Sequence, residues 1–230
     1  MSGFAGPTVG RYTLAPTAFA AGDPIKRFIV TGCPRSGTAY ASVLFKALGV
    51  RCDHEKVFGV EQALGNRPVD WNGAEADSSF LAVPFLPVDD AVVLHQVRHP
   101  LEFARSMLGT ELLTDHRRDK PFPTAIGRHA PEVYQPERPP ERAALMWQIW
   151  NTRAEAHADV TYRLEDLDAA ALLRLADLVE LDVSEEDAAR ALASVPKDVN
   201  RRNRIEGLTW RRIEPIVGQL AAHYGYRPPE

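Results

Sequence analysis

Short apolar segments and helical patterns alternate along this chain. Three segments rich in β-branched or apolar residues cover positions 27–31, 91–97 and 159–164. Each is followed by apolar residues at helical spacing, over positions 39–48, 101–113 and 167–181. Strands that alternate with helices imply parallel pairing through right-handed crossovers. The pattern therefore predicts an α/β domain of three layers, in which a central parallel sheet lies between helices.

Three more helices are predicted in the second half of the chain. The first covers positions 141–157 and carries Trp147 and Trp150 on one face, where we interpret them as core residues. Ser184 and Asp187 form a capping-box pattern for a short helix that ends before Pro196. The last helix covers positions 209–223.

The segment at positions 114–140 breaks this alternation. It is polar, contains six prolines and begins with a cluster of charged residues. A loop of this length in a compact domain is usually functional or disordered. We therefore expect either a mobile flap over the site of a second substrate or a disordered segment.

Composition limits the kinds of partner. With 230 residues, 45% of them hydrophobic, we expect one domain over positions 26–230, preceded by a loosely ordered leader over positions 1–25. The net charge of -4 argues against nucleic acid as a partner, so an anion site would be local. Two cysteines and the lack of a signal peptide or an apolar run of 18 residues favour a cytoplasmic protein without a membrane span.

The first strand ends in a turn that has the spacing of a phosphate-binding loop but no lysine. Gly32 and Gly37 stand five residues apart, Thr38 follows directly, and the cation Arg35 lies inside the turn. Backbone N–H groups of positions 36–38 at a helix N-terminus favour an anion. The alternative is a tight turn without a ligand. Cys33 does not fit a phosphatase nucleophile, because the arginine needed six residues later is replaced by alanine.

A second candidate site follows the strand at positions 91–97. Arg98 lies where this strand ends, Pro100 suits the first turn of a helix, and Ser106 lies two turns into it. Taken alone, an arginine such as Arg98 would more often be a salt-bridged surface residue.

Together, G-x-P-R-S-G-T after the first strand and V-R-x-P-x-x-x-x-x-S after a later strand resemble the sulfotransferases that use 3'-phosphoadenosine 5'-phosphosulfate (PAPS). The resemblance implies a P-loop fold in which the turn binds the 5'-phosphosulfate and the second motif binds the 3'-phosphate. The product would be adenosine 3',5'-bisphosphate (PAP). The residues implied for the phosphosulfate are Arg35, Ser36, Gly37 and Thr38, and those implied for the 3'-phosphate are Arg98 and Ser106.

Three further segments support the resemblance. HEKVFG at positions 54–59, with Trp71 downstream, is similar to the H-E segment of bacterial members. YRLEDL at positions 162–167 is similar to their Y-E-D-L segment, although it has two extra residues between tyrosine and aspartate. VNRRNRIEGLTW at positions 199–210 is similar to the basic loop that closes over the 3'-phosphate. Which of its arginines would bind is left open among Arg201, Arg202 and Arg204.

The resemblance also implies a mechanism. Glu55 would deprotonate an acceptor hydroxyl, with His54 as the alternative base, while Arg35 and the turn amides stabilise charge on the leaving phosphate. Both residues could instead be structural. No H-E-x-x-H motif is present, and no aspartate follows the strand at positions 91–97, so we expect no metal.

The acceptor and the competing functions stay open at this point. Sugar, lipid, phenol and peptide hydroxyls all remain candidates, in a small-molecule or glycan acceptor whose pocket would include Trp71, Phe80 and the proline-rich segment. One rival function is a small kinase that uses ATP and Mg²⁺. The other is a nucleotide-binding protein without turnover. The sequence does not indicate an oligomeric state.

Overall fold

The computed structural model describes residues 25–115, 118–196 and 205–229. Within them lie five strands: β1 (Phe28–Thr31), β2 (Cys52–His54), β3 (Ala76–Ser78), β4 (Val92–Val97) and β5 (Val160–Arg163). The α-helices are α1 (Thr38–Ala47), α2 (Val60–Ala63), α3 (Pro100–Leu108), α4 (Pro121–His129), α5 (Pro139–Glu155), α6 (Ala169–Leu178), α7 (Glu185–Ser194) and α8 (Trp210–His223). Short 3-10 helices cover Phe80–Phe85, Pro131–Tyr134 and Leu164–Asp166.

The five strands form one parallel sheet in the order β2-β3-β1-β4-β5. β1 lies at the centre, between β3 and β4. Because all pairs are parallel, the strands end at the same edge of the sheet, and the order reverses around β1. Ligands in open α/β sheets bind at such an edge. The fold thus brings the turn after β1 beside the residues that follow β4.

Helices cover both faces of the sheet. On one face, α3, α5 and α8 bury a core that includes Trp147 and Trp150. On the other face, α1, α6 and α7 pack over Val30 and Leu94. β1 begins with three apolar residues and β4 likewise begins with three, because both strands are buried from both sides. This three-layer α/β architecture confirms the predicted fold class.

The local signals that predicted helix starts are present as contacts. Ser184 Oγ accepts a hydrogen bond from the N–H of Asp187 at 3.1 Å, directly before α7. Pro100 is the first residue of α3, where a missing N–H costs nothing, and His99 Nδ1 accepts from the N–H of Leu101 at 3.2 Å. These short-range contacts explain why the starts of α3 and α7 were predictable to within three residues.

Two strands were missed. β2 and β3 have three residues each, and both include an aspartate, so neither shows an apolar run. They become strands because they pair with each other and β3 pairs with β1. Pairing of this kind is a property of the assembled sheet and leaves little trace in so short a segment.

The proline-rich segment at positions 114–140 is not a loop throughout, and this part of the prediction was wrong. It contains α4, which begins at Pro121, and a 3-10 helix. Ala125, Ile126 and Val133 are fully buried in the same core as Trp147. The prolines of this segment predicted a loop, but a proline at the first helical position, as Pro121 is, also suits the start of a helix.

The predicted leader at positions 1–25 lies outside the described residues except for Ile25. In the parts of the chain that the structure describes, no helix is long and apolar enough to span a bilayer.

Candidate anion-binding and catalytic site

The turn between β1 and α1 lies tightly against β4. A Cβ atom at Gly32 would collide with the backbone oxygen of Gln96. At Gly37, where φ is 102°, a Cβ would lie 2.9 Å from both Gln96 Nε2 and Leu164 Cδ2. Only glycine fits such positions, because they combine close approach with a left-handed backbone. The two glycines therefore serve the packing of the turn on β4.

Hydrogen bonds from β4 and from the residue that follows it hold the carbonyl groups of the turn. Arg98 Nη1 donates to the backbone oxygen of Arg35 at 2.9 Å, and Gln96 Nε2 donates to that of Ser36 at 2.6 Å. The N–H and the hydroxyl of Ser36 both donate to the backbone oxygen of Cys33. Ser36 thus stabilises the turn from within. Gly37 precedes α1 and makes no side-chain cap hydrogen bond. Because α1 follows the carboxyl end of β1, its start lies at the edge where ligands bind.

Arg35, Arg98 and Ser106 come together at this edge. Arg35 Nε donates to Ser106 Oγ at 3.1 Å, across 71 positions of sequence. Ser106 is only 4% exposed, so its hydroxyl lies in the wall of the site. Burial and the neighbouring charge of Arg98 lower the pKa of Arg35, while Glu55 opposes this shift. Arg35 beside the Ser106 hydroxyl and Arg98 beside the Arg35 carbonyl form a local cationic site on a chain whose net charge is -4.

The end of β4 is fixed by two other elements. Trp147 Nε1 in α5 donates to the backbone oxygen of Arg98 at 2.9 Å. Glu165 accepts from the N–H of His99 at 2.9 Å through one oxygen and from the hydroxyl of Tyr226 at 2.8 Å through the other. Trp147 is a core residue as predicted, and it also positions Arg98. The segment with Glu165 holds the start of α3.

His54 and Glu55 lie at the end of β2, next to α1. His54 Nε2 is 3.4 Å from Thr38 Oγ1 and 3.8 Å from Glu55 Oε1. Glu55 has a left-handed backbone, with φ of 53°, which is uncommon for a residue other than glycine. Thr38, a predicted phosphosulfate ligand, thus stands between the glycine turn and the candidate bases.

The two candidate bases differ in pKa. Burial, followed by the charge of Asp77, raises the pKa of Glu55 to about 7, and Arg35 partly opposes this shift. Burial, followed by the charge of Lys46, lowers the pKa of His54 to about 4. A general base works best with a pKa near the working pH. Glu55 meets this condition at neutral pH, whereas His54 is neutral and weakly basic.

Asp77 is a residue of the site that the sequence analysis missed. It lies on β3, fully buried, and accepts from the N–H groups of Phe58 at 3.0 Å and Lys56 at 3.4 Å. Burial raises its pKa to about 6. Its carboxylate thereby holds the turn that follows Glu55. β3 has no apolar run from which a strand could have been predicted. The usable signal was Asp77 itself, an acid that stands three positions before the apolar stretch that begins at Phe80.

No group of three or more His, Cys, Asp or Glu residues suited to a metal ion occurs among residues 25–115, 118–196 and 205–229.

The fold of this chain is similar to that of a solved structure. No protein-family model matches the sequence, and neither does any curated protein. A sulfotransferase domain from the curacin biosynthetic pathway superposes with a TM-score of 0.51 at 12% identity, over 89% of this chain and 99% of that one. The two chains share a fold. At this identity the likeness extends to the arrangement of strands and helices and not to individual residues.

Several other residues that were predicted to belong to the site make contacts away from Arg35 and Arg98, or lie outside the residues that the structure describes. Trp71 packs edge-on against Phe58, and Arg27 lies 5.1 Å above its ring at the amino end of β1. Arg27 precedes β1, so this contact lies near the amino end of that strand, and the place of Trp71 in an acceptor pocket stays a prediction. Phe80 packs on Trp150 and on Phe122 of α4. The arginines predicted to close over the 3'-phosphate, Arg201, Arg202 and Arg204, lie outside the described residues.

Proposed function

We propose that this protein is a sulfotransferase that transfers a sulfuryl group from PAPS to a hydroxyl or amine of an acceptor and releases PAP. The observation that carries the proposal is the meeting of the two motifs. Arg98 and Ser106, 60 or more positions away in sequence, both bond to Arg35 of the glycine turn. A donor with anionic groups at both its 5' and 3' positions needs two adjacent anion subsites of this kind.

The residues present suit such a donor. The start of α1 offers backbone N–H groups for the 5'-phosphosulfate, where the helix dipole also favours negative charge. Arg98 supplies a planar guanidinium for the 3'-phosphate, and the buried Ser106 supplies a hydroxyl. Arg35 lies between these two subsites, where it can stabilise charge on the bridging oxygen as the bond to sulfur breaks.

Glu55 is the proposed base. An acceptor hydroxyl attacks the sulfur in line, the bond between sulfur and the bridging phosphate oxygen breaks, and the hydroxyl proton passes to the Glu55 carboxylate. Its pKa of about 7 makes the carboxylate both available and sufficiently basic at neutral pH. His54 is the secondary candidate, and its position 3.8 Å from Glu55 also suits a role in orienting that carboxylate.

A kinase that uses ATP and Mg²⁺ is the competing enzyme. The turn has no lysine, and both carboxylate oxygens of Asp77, the acid on the strand next to β1, accept backbone N–H groups. These features favour the sulfotransferase. The non-catalytic alternative would keep the anion site and lack turnover.

Thermal unfolding with nucleotides tests the proposal. In EDTA, we expect PAP to raise the melting temperature more than adenosine 5'-phosphate or ATP does, because PAP fills both subsites. Stabilisation by ATP only when Mg²⁺ is present would instead support the kinase. Transfer of labelled sulfate from PAPS to a panel of sugar, phenol, lipid and peptide acceptors then separates enzyme from binder. PAP binding without transfer to any acceptor would support the non-catalytic alternative.

A further inference from the structure

Gln96 and Tyr162 form a hydrogen-bonded pair beneath the glycine turn. The two residues are direct neighbours across β4 and β5. The Tyr162 hydroxyl donates to Gln96 Oε1 at 2.8 Å, and Gln96 Nε2 donates to the backbone oxygen of Ser36 at 2.6 Å. Gln96 is fully buried. A continuous chain of hydrogen bonds therefore runs from the edge strand of the sheet to the turn.

The Ser36 carbonyl and the Tyr162 hydroxyl together fix which end of the Gln96 amide faces Ser36. A carbonyl oxygen only accepts, so the amide must present its nitrogen to Ser36. Rotating the amide would place two oxygens together and leave Tyr162 without an acceptor. Burial raises the pKa of Tyr162, so its hydroxyl stays protonated and remains a donor at any working pH.

The direction of the Ser36 carbonyl in turn sets the direction of the next N–H group. Ser36 C=O and Gly37 N–H belong to one planar trans peptide, in which the two groups point in opposite directions. With the carbonyl held toward β4, the Gly37 N–H points away from Gln96. Since Gly37 directly precedes α1, this N–H belongs to the group of donors at the start of that helix.

We propose that Tyr162 and Gln96 are positioning residues for the 5'-anion subsite, acting through the Ser36 carbonyl on the Gly37 N–H. The inference rests on the proposed function, because it assumes that the start of α1 binds the 5'-anion of the donor. Neither side chain contacts the ligand. Their effect should therefore be selective for the 5'-anion and absent for a ligand that occupies only the 3'-phosphate subsite.

The test compares nucleotide binding by calorimetry in wild type and Tyr162→Phe. Loss of one orienting hydroxyl should weaken adenosine 5'-phosphate and PAP by about tenfold, the scale of one buried hydrogen bond. Affinity for adenosine 3'-phosphate should stay within about twofold. Equal weakening of both monophosphates would mean a general loosening of the site and would overturn the inference, as would unchanged affinity for both.

Tyr40→Phe is the matched control. The Tyr40 hydroxyl is also buried, and it has no hydrogen-bond partner in the described part of the chain. Its removal should leave binding of both monophosphates unchanged. A tenfold loss in this variant as well would overturn the inference, because the effect of Tyr162→Phe would then not depend on Gln96.

A second variant tests whether Tyr162 acts through Gln96. Gln96→Met keeps the volume and removes both amide contacts, so it should reproduce the selective loss. Adding Tyr162→Phe to Gln96→Met should cause no further loss, because residues in one chain of contacts are not additive. Additive losses would contradict the inference. If Gln96→Met does not fold, Gln96→Leu serves, since it also removes both amide contacts and introduces no group that can donate to Ser36.

These outcomes separate the inference from the proposed function. A selective loss of 5'-anion binding in a protein that transfers no sulfuryl group would reject the sulfotransferase and support the positioning pair. Turnover with PAPS in wild type, combined with unchanged 5'-anion affinity in Tyr162→Phe, would reject the positioning pair alone.

Discussion

Glu55 combines three unfavourable conditions in one residue. Its carboxyl is largely buried, it lies near the charge of Asp77, and its backbone is left-handed. Conformations and charges of this kind persist only where the surrounding structure enforces them, and they concentrate at functional sites. Here Asp77 enforces the conformation through the amides of Lys56 and Phe58. The structure therefore places a carboxyl group with a raised pKa where the proposed reaction needs a base.

Replacing the carboxylate tests its role directly. We expect Glu55→Gln to lower turnover with PAPS by about a hundredfold or more, the usual scale for a lost general base. PAP affinity should change little, since the nucleotide contacts lie on other residues. Steady-state kinetics and calorimetry measure the two quantities. Glu61→Gln, an exposed glutamate six positions away, is the control and should keep full activity. Unchanged turnover in Glu55→Gln would reject Glu55 as base.

Asp77 should control the pH at which Glu55 works. With a pKa of about 7, Glu55 is protonated and inactive as a base below that pH, so the rate should rise as pH increases through 7. Asp77→Asn removes a neighbouring negative charge and should move this limb of the rate profile to lower pH, by roughly one unit. A profile that stays in place would show that another group titrates.

Arg98 should discriminate between nucleotides. Arg98→Ala removes a charge-assisted contact of about 1.5 to 3 kcal/mol. The resulting loss should be much larger for PAP than for adenosine 5'-phosphate, as measured by calorimetry. Arg27→Ala makes the same change of charge at the opposite edge of the sheet and is the control. A loss of equal size for both nucleotides would refute the 3'-phosphate assignment.

At the scale of elements, α4 is a helix that the amino-acid composition of its segment did not predict. Its prolines and charged neighbours suggested a loop, yet Pro121 is the first residue of the helix and Ile126 is fully buried beneath it. Arg142 of α5 is 4% exposed and holds the preceding segment through Asp115 and the backbone oxygen of Leu113. α4 therefore forms part of the core, and the question whether it also borders the acceptor stays a proposal.

Truncating the buried face of α4 tests this packing. Ile126→Ala should lower the free energy of unfolding by about 2 to 5 kcal/mol, because it leaves a cavity in a close-packed core. Thr124→Ala, on the exposed side of the same helix, should cost less than about 1 kcal/mol. Urea unfolding measures both. A cost below about 0.5 kcal/mol for Ile126→Ala would mean that the segment is not packed as described.

At the scale of the whole molecule, buried titratable residues make the free energy of unfolding depend on pH. The folded-state pKa of Glu55 is about 7, above its ordinary value of 4.5. Its contribution to stability is therefore fully present below pH 4.5 and is lost as pH rises through 7. His54 and His95 act in the opposite direction: burial lowers each pKa to about 4, so their contribution is lost as pH falls through 4.

Glu55→Gln should consequently change the pH dependence of folding. The neutral glutamine avoids the cost of an ionised buried carboxylate, so its unfolding free energy relative to wild type should be about 1 to 2 kcal/mol higher at pH 8 than at pH 5. Urea titrations at the two pH values measure the difference. The exposed Glu61→Gln should show none. A pH-independent difference for Glu55→Gln would argue against its raised pKa.

The longer strands and most of the helices could be predicted from the sequence because the patterns that indicate them extend over only a few residues. β1, the glycine turn and α1 follow one another without interruption, and β4 with α3 repeats the arrangement. Apolar spacing, caps and glycine positions act over a few residues, so they are visible before folding. The three-layer fold class was predicted from such signals, whereas the roles of Arg98 and Ser106 were implied by the resemblance to the sulfotransferases.

Other features exist only once distant segments meet. β2 and β3 are strands because a sheet edge accepts them, and Asp77 gains its role because that pairing places it beneath the turn after Glu55. The link from Tyr162 through Gln96 to Ser36 spans three elements and depends on the register of β4 and β5. Burial, which sets the pKa of Glu55, is likewise a property of the packed molecule. Short-range sequence signals thus determine the longer strands and helices, whereas contacts between distant segments determine the chemical properties of the site.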